Sequence, residues 1–262
     1  MKIIPDRLKK GDRIGIISTA RKIRKEELES AIMVFKNWGL EVVFGKYLFS
    51  EYNQFAGSDS QRAYDLQSMI LDTSVKAIMC ARGGYGTVRI IDQVDFSPLL
   101  LKPKWIIGYS DVTVLHSHLA NFGIASMHAT MPINFSLNTA KSIDSLYEVL
   151  FSQSNKIICD PHELNVTGTV QAEIMGGNLS ILCSLLGSIS DIKTKGKILF
   201  IEDLDEYLYH IDRMIMTLKR AGKLSEIKAL IVGSMHDMND NEIPFGRTAY
   251  QIISDYTKEY SY

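Results

Sequence analysis

The sequence has few of the features that reveal a protein's chemistry on sight. It has 3 cysteines in 262 residues. That is an odd number with no C-x-x-C pair, which excludes a disulfide framework and a thiol-based zinc or redox motif. Cys80, Cys159 and Cys183 each stand in an apolar run and are expected as buried thiols. No apolar run approaches the ~18 residues of a membrane span; the longest, residues 181–189, carries Ser184 and Ser188. The first ten residues hold neither the apolar core nor the cleavage site of a secretory leader, so a soluble cytoplasmic protein without a membrane partner is expected. The 29 Lys+Arg against 30 Asp+Glu leave a formal net charge of -1. No basic excess is available for phosphate backbones, and no nucleic-acid partner is expected.

Familiar ligand motifs are missing too. Gly84-Tyr-Gly86 opens like a dinucleotide fingerprint, but Arg89 stands where the third small residue is needed. No phosphate-binding G-x-x-x-x-G-K-[ST] occurs. Asp237-x-Asn239-x-Asn241 resembles the opening of a calcium loop, yet Glu242 replaces the turn glycine and Thr248 the bidentate acid. The 6 histidines include no HExxH, and His116 and His118, two apart, lie on different faces of a helix. A histidine-based metal site is therefore not expected.

Hydrophobic residues make up 46% of the chain, enough for a real core, and the length suits one large or two ordinary domains. Short apolar runs at 13–18, 41–44, 75–81, 104–108 and 124–127 read as strands. Between them, 24–38, 112–122 and 141–151 show helical spacing, and Ser58 with Gln61 forms a capping box ahead of another helix. This alternation predicts an α/β fold, a parallel sheet covered by helices on both faces. It runs to residue 152. Residues 153–165 are polar and contain Pro161, and are read as a linker. Residues 166–262 form a second, smaller α/β domain. Its strands are expected at 167–173, 197–201 and 229–233, and its helices at 178–186, 208–221 and 247–260.

Two segments suggest chemistry. In Trp105-Ile-Ile-Gly-Tyr-Ser110-Asp111 an apolar strand runs into Gly-x-Ser with a helix directly after. That is the sequence form of a nucleophile elbow, which presents a serine hydroxyl at a strand's carboxyl end. The helix start behind it offers free N–H groups to a developing oxyanion, Asp111's among them. Equally, Ser110 or Asp111 could be an ordinary N-cap. Ala81-Arg-Gly-Gly-Tyr-Gly86 follows another strand, where glycines let backbone approach a ligand; a plain turn would look the same. Both loops follow parallel strands and should face one crevice. Of the four acids after the strand at 197–201, Glu202 is the one expected to point into a site. Asp203, Asp205 and Glu206 are expected as a solvated turn and helix start.

Taken together, the chain resembles the LD-carboxypeptidases, serine peptidases with a Ser-Glu-His triad that include murein tetrapeptide carboxypeptidases and microcin self-immunity proteins. The resemblance rests on an ordered set: Leu8-x-x-Gly-Asp12, Ala81 to Gly86, Ile107-Gly-Tyr-Ser-Asp111, His128-x-x-Met-Pro132, Gly176-Gly-Asn-Leu-x-x-Leu182 and Ile201-Glu-Asp203. It implies a Rossmann-like N-terminal domain and a smaller C-terminal domain with the site between them. Ser110 matches the nucleophile, Glu202 the acid that orients the histidine, and Gly84 and Asp111 the oxyanion donors. The implied reaction removes the terminal D-alanine from an L,D bond of cytoplasmic muropeptides in cell-wall recycling, without metal or cofactor, by a homodimer. The substrate's own carboxylate needs a helix N-terminus or an arginine in the cleft; Arg82 is a candidate, although an arginine so placed more often supports its own loop. The family's catalytic histidine lies beyond the Glu in a Gly-His pair, a context that none of the six histidines shares. This predicts a truncated C-terminal domain and little activity from these residues, unless His128 or His236 replaces the base. The alternatives are a muropeptide- or small-anion-binding α/β protein without catalysis, and a self-immunity peptidase acting on a peptide-nucleotide.

Overall fold

Strand and helix alternate along the chain because apolar runs of period two and amphipathic runs of period 3.6 alternate in the sequence. The computed structural model of the protein describes residues 2–152 and 156–262. Among these residues no helix is long and apolar enough to cross a membrane. The chain divides into two units, Met1–Lys156 and Ile157–Tyr262.

In the first unit β1 (Arg13–Ile17), α1 (Glu29–Asn37), β2 (Glu41–Phe44), α2 (Asp59–Leu71), β3 (Val75–Cys80), a short α3 (Pro98–Leu101), β4 (Trp105–Gly108), α4 (Thr113–Asn121), β5 (Met127–His128) and α5 (Ala140–Ser152) follow in order. The five strands form one parallel sheet in the order β2-β1-β3-β4-β5. Alternate residues feed opposite faces. Ile14, Ile16, Ala77, Met79 and Ile107 join Phe35 of α1 and Leu146 and Leu150 of α5 in one core. Gly15 faces the other way, where a Cβ would stand 2.6 Å from Met69 Sδ on α2. The capping box at Ser58 and Gln61 is present at the start of α2, and Gly39, at φ +80°, closes α1.

The fifth strand sits later than its apolar run suggests. Ile124 makes only an isolated parallel bridge to Ile3, and the strand proper is Met127–His128. Of the segment expected as a linker, residues 153–155 lie outside the described residues, and residues 156–173 contain neither helix nor strand.

The second unit holds β6 (Ile174–Asn178), α6 (Leu179–Ser184), β7 (Ile198–Leu204), α7 (Leu208–Arg220), β8 (Ala229–His236) and α8 (Ala249–Thr257). Its parallel sheet has the order β6-β7-β8. Its core joins Leu199 and Ile201 of β7 with Ile211, Ile215 and Leu218 of α7 and Ile252 and Ile253 of α8. The expected strand at 167–173 is not formed; the strand begins at Ile174. Residues 167–171 are all exposed, so their alternation has no apolar partner to select one face. The cysteine expectation is corrected at one position: Cys80 is buried and Cys183 half-buried, but Cys159 is exposed, and all three are free. Burial pushes both the Cys80 and the Cys183 thiols up to about 12.

Candidate active site

The first unit carries a strained serine. Ser110 has φ +60°, the left-handed region, which costs an L-residue about 1–2 kcal/mol. It opens a helical turn over Ser110–Val112 that runs on into α4. Gly108 before it has φ +157°, and a Cβ there would lie 2.8 Å from Val112 Cγ2, so the sharp turn requires glycine. Strand, strained serine and helix in direct succession form the elbow geometry. Val112 N donates to the Tyr109 carbonyl at 3.2 Å, while the N–H groups of Ser110 and Asp111 come too early in the turn to find an acceptor within the helix.

Three supports hold the elbow. His116 of α4 bonds back through Nε2 to the Gly108 carbonyl at 2.8 Å, and its Nδ1 lies 2.8 Å from Ser126 Oγ. A carbonyl can only accept, so Nε2 carries the proton and Nδ1 accepts from Ser126. Burial drives the His116 pKa down to about 4, which keeps the ring neutral. The second support is Asn134, whose amide donates to the Tyr109 hydroxyl.

The third support ties the elbow to the glycine loop. The Asp111 carboxylate is buried and accepts from Thr87 N at 2.9 Å and Thr87 Oγ1 at 2.6 Å. With the Thr87 proton committed there, the 2.7 Å contact between the two hydroxyls has Thr19 donating. Burial raises the Asp111 pKa, against the opposing pull of Thr87 and Arg62. Arg62, fully buried, donates to the Thr19 carbonyl at 2.5 Å and the Gly86 carbonyl at 3.0 Å, and pairs with Asp59. Gly86 leaves room for it: a Cβ at 86 would lie 2.5 Å from Arg62 Nη1.

The loop itself meets the serine at Gly83. A Cβ on Gly83 would stand 3.1 Å from Ser110 Cβ and 3.2 Å from its Oγ. Gly84, the glycine singled out by the sequence, is exposed at φ +122° and packs under the stem of Arg21. Ile133 N donates to the Ala81 carbonyl at 3.1 Å, so the segment after Met131-Pro132 braces the loop's first residue. Arg82 turns back to its own surroundings, with Nη1 donating to the Lys22 carbonyl at 3.2 Å. His128, at the end of β5, has its ring 6.1 Å from Tyr109 and 6.0 Å from His116. It is partly open to solvent, yet burial and then His116 lower its pKa.

In the second unit Glu202 lies within β7, which continues to Leu204 rather than ending at 201. Opposite it the ladder slips. Ile201 pairs with Val232 and Asp203 with Met235, so Gly233 and Ser234 together face Glu202. Such a bulge re-aims a side chain, and Gly233 makes room, because its Cβ would lie 3.2 Å from that of Glu202. Burial pushes the Glu202 pKa up to about 7; the Asp203 charge adds to it and the Asn178 side chain opposes it. Asp203 departs from expectation: it is buried in the strand, not in a solvated turn. Its carboxylate accepts from Asn178 Nδ2 at 2.8 Å, Ser180 N at 2.9 Å and Leu204 N at 2.9 Å. Asn178 in turn caps α6, accepting from Ile181 N at 3.1 Å. His210 and Glu206 pair at 2.5 Å at the start of α7. His236 is exposed, 3.3 Å from Asp237.

Sequence reading missed His116 and Arg21, took Gly84 rather than Gly83 from the glycine loop, and expected Asp203 in a solvated turn; Asn178, in the Gly176-Gly-Asn178 motif, was legible as a cap. The places of Gly83, Arg21 and Asp203 rest on contacts with segments more than twenty residues away.

The chain matches the profile of the LD-carboxypeptidase N-terminal domain over residues 14–129 and that of the LD-carboxypeptidase C-terminal domain over residues 171–262. It is 36% identical over 263 residues to a probable murein peptide carboxypeptidase of Bacillus subtilis, covering 96% of this chain and 81% of that protein. It is 26% identical to the murein tetrapeptide carboxypeptidase of Pseudomonas aeruginosa, covering 88% and 79%. A crystal structure of muramoyltetrapeptide carboxypeptidase from Oxalobacter formigenes superposes with TM-score 0.87 at 27% identity, covering 95% of this chain and 85% of that one. The microcin C7 self-immunity protein MccF shares the fold, with TM-score 0.85 at 21% identity, covering 100% and 88%.

Proposed function

Because the chain belongs to the LD-carboxypeptidase family, we propose that it is a serine peptidase of murein peptides that releases the terminal D-alanine from an L,D bond. The observation that carries this reading is Ser110 at φ +60°, at a strand-to-helix turn and against Gly83. A non-glycine residue persists in that conformation only where its surroundings impose it, and such strain collects at functional positions.

In this reading Ser110 Oγ attacks the scissile carbonyl and passes its proton to an imidazole base. The oxyanion is received by the N–H groups of Asp111 and Gly84, with the dipole of α4 adding a partial positive charge. Collapse of the tetrahedral intermediate breaks the C–N bond, and the leaving D-alanine amine takes the proton from the imidazolium. Water then hydrolyses the acyl-serine by the same route. Glu202 orients the imidazole, a task for its ionised form. The base is the family's Gly-His histidine, and none of the six histidines stands in that context. We therefore expect these 262 residues to bind the peptide and turn it over slowly at most. A muropeptide tetrapeptide is the expected partner, in a cytoplasmic homodimer.

The test is D-alanine release from an L,D-linked murein tetrapeptide, followed by mass spectrometry with the protein and its Ser110→Ala variant. Loss of the residual release in a variant of unchanged circular dichroism supports the assignment, and equal release in both sinks it. Rapid release that disappears in His128→Gln or His236→Gln would give the base to that histidine.

A further inference from the structure

The structure assigns Arg21 as the residue that binds the substrate's terminal carboxylate beside Ser110, an inference that rests on the peptidase reading. Three observations converge on it.

The first is position in the sheet. In the order β2-β1-β3-β4-β5 the direction of strand succession reverses between β1 and β3. Open parallel sheets bind ligands at that point, beyond the carboxyl ends of the strands. Arg21 follows β1, and the glycine loop follows β3, so the two flank the reversal.

The second is reach. The Arg21 stem lies over Gly84, where a Cβ would stand 2.3 Å from its Cδ and 2.6 Å from its Cγ. The neighbouring Gly83 touches Ser110 on the other side, at 3.1 and 3.2 Å by the same measure. Two adjacent glycines therefore separate the nucleophile from the arginine. Successive Cα atoms are about 3.8 Å apart and each built Cβ stands about 1.5 Å from its Cα, which puts the stem within about 12 Å of Ser110. In a peptide whose last bond is cleaved, the terminal carboxylate lies about 4–5 Å from the scissile carbonyl by covalent geometry. An arginine reaching about 3 Å further meets it.

The third is charge. Arg21 is exposed, and among the described residues its guanidinium makes no ion pair or side-chain hydrogen bond. It stands near the guanidinium of Arg82, whose pKa is lowered first by burial and then by Arg21, with Glu27 opposing. Glu27 itself is taken up by Arg24, through its backbone N–H at 2.8 Å. Arg82 is held by the Lys22 carbonyl. That leaves Arg21 as the free fork of the pair, and a planar guanidinium suits a carboxylate bidentately. Gly84 is explained by the same contact, since any side chain there would displace the stem.

Calorimetric titration in the Ser110→Ala background, where no turnover intervenes, tests this. Three ligands are used: a murein tetrapeptide ending in D-alanine, the same peptide amidated at its terminal carboxyl, and the peptide amidated at an internal carboxyl instead. The free acid and the internally amidated peptide are expected to bind about 10- to 100-fold more tightly than the terminal amide. Adding Arg21→Ala brings both down to the level of the terminal amide, whose own affinity does not change. Arg21→Lys, which keeps the charge and loses the fork, recovers part of the preference. Acid preference that survives Arg21→Ala overturns the inference, and so does a loss confined to the internal carboxyl. Arg21-dependent binding without D-alanine release in the parent chain supports the inference and overturns the peptidase reading. No binding of any ligand by folded protein overturns both.

Discussion

Ser110 keeps an unfavourable backbone angle because both its flanks are clamped. Gly108 is bonded by His116 behind it, and Asp111 is bonded to Thr87 ahead of it. Each clamp is a buried polar group whose partner has few alternatives, so breaking one costs about 1–3 kcal/mol. The hydroxyl is thereby presented to Gly83, where the absence of a side chain leaves it accessible. Gly83→Ala puts a methyl 3.1 Å from Ser110 Cβ. We expect at least about a tenfold loss of tetrapeptide affinity by calorimetry, with the urea midpoint displaced by less than about 1 kcal/mol. An unchanged affinity would mean that substrate does not approach over Gly83. At this scale the Gly-x-Ser-Asp sequence was legible as an elbow with a helix behind it. The clamps were not, because His116 and Thr87 read locally as a core helix residue and a loop residue.

Among the elements, the glycine-bearing β6 is the most constrained. Gly176 has φ +135°, and a Cβ there would fall 1.8 Å from the Phe200 carbonyl oxygen. Gly176→Ala therefore forces β6 off β7, and with it the Asn178–Asp203 bonds. We expect a loss of at least about 3 kcal/mol in chemical denaturation. Gly168→Ala, which meets nothing within 4 Å, serves as the control and should be neutral; equal effects would show that the close strand approach is not what requires glycine. The element scale also shows where pattern reading stops. Pattern alone ends the strand at 201, because Glu202 and Asp203 look like a polar boundary. They stay in β7 because three donors satisfy Asp203 and a bulge accommodates Glu202. The reverse error occurred at 167–173, where alternation without a partner surface formed no strand.

For the whole molecule, stability and the proposed reaction pull on Glu202 in opposite directions. Its pKa is raised from 4.5 to about 7, chiefly by burial and then by Asp203. A carboxyl raised in the folded state contributes stability while protonated, fully below its ordinary pKa, and loses it as pH climbs through about 7. Glu202→Gln removes that loss. Its denaturation midpoint should match the parent's at pH 4 and exceed it by about 1–2 kcal/mol at pH 8. In the proposed reaction activity runs the other way: only the ionised form would orient an imidazole base, so the slow D-alanine release should rise as pH passes 7 and be absent from the glutamine variant at every pH. Equal midpoints at both pH values would show that Glu202 ionises freely, as a surface acid does.

By itself the sequence determined the parallel α/β framework, most element positions, the elbow at Ser110 and the family. Each is encoded locally, in apolar period, capping residues or an ordered set of short motifs. Tertiary structure alone decided which glycine meets the serine, that a neutral His116 and a buried Asp111 hold the elbow, that Asp203 is interior, and that Arg21 rather than Arg82 is the unengaged cation. The physical reason is the same in each case. Whether a polar group is anchored, buried or free depends on donors and acceptors that folding brings from distant segments, and no local pattern records them.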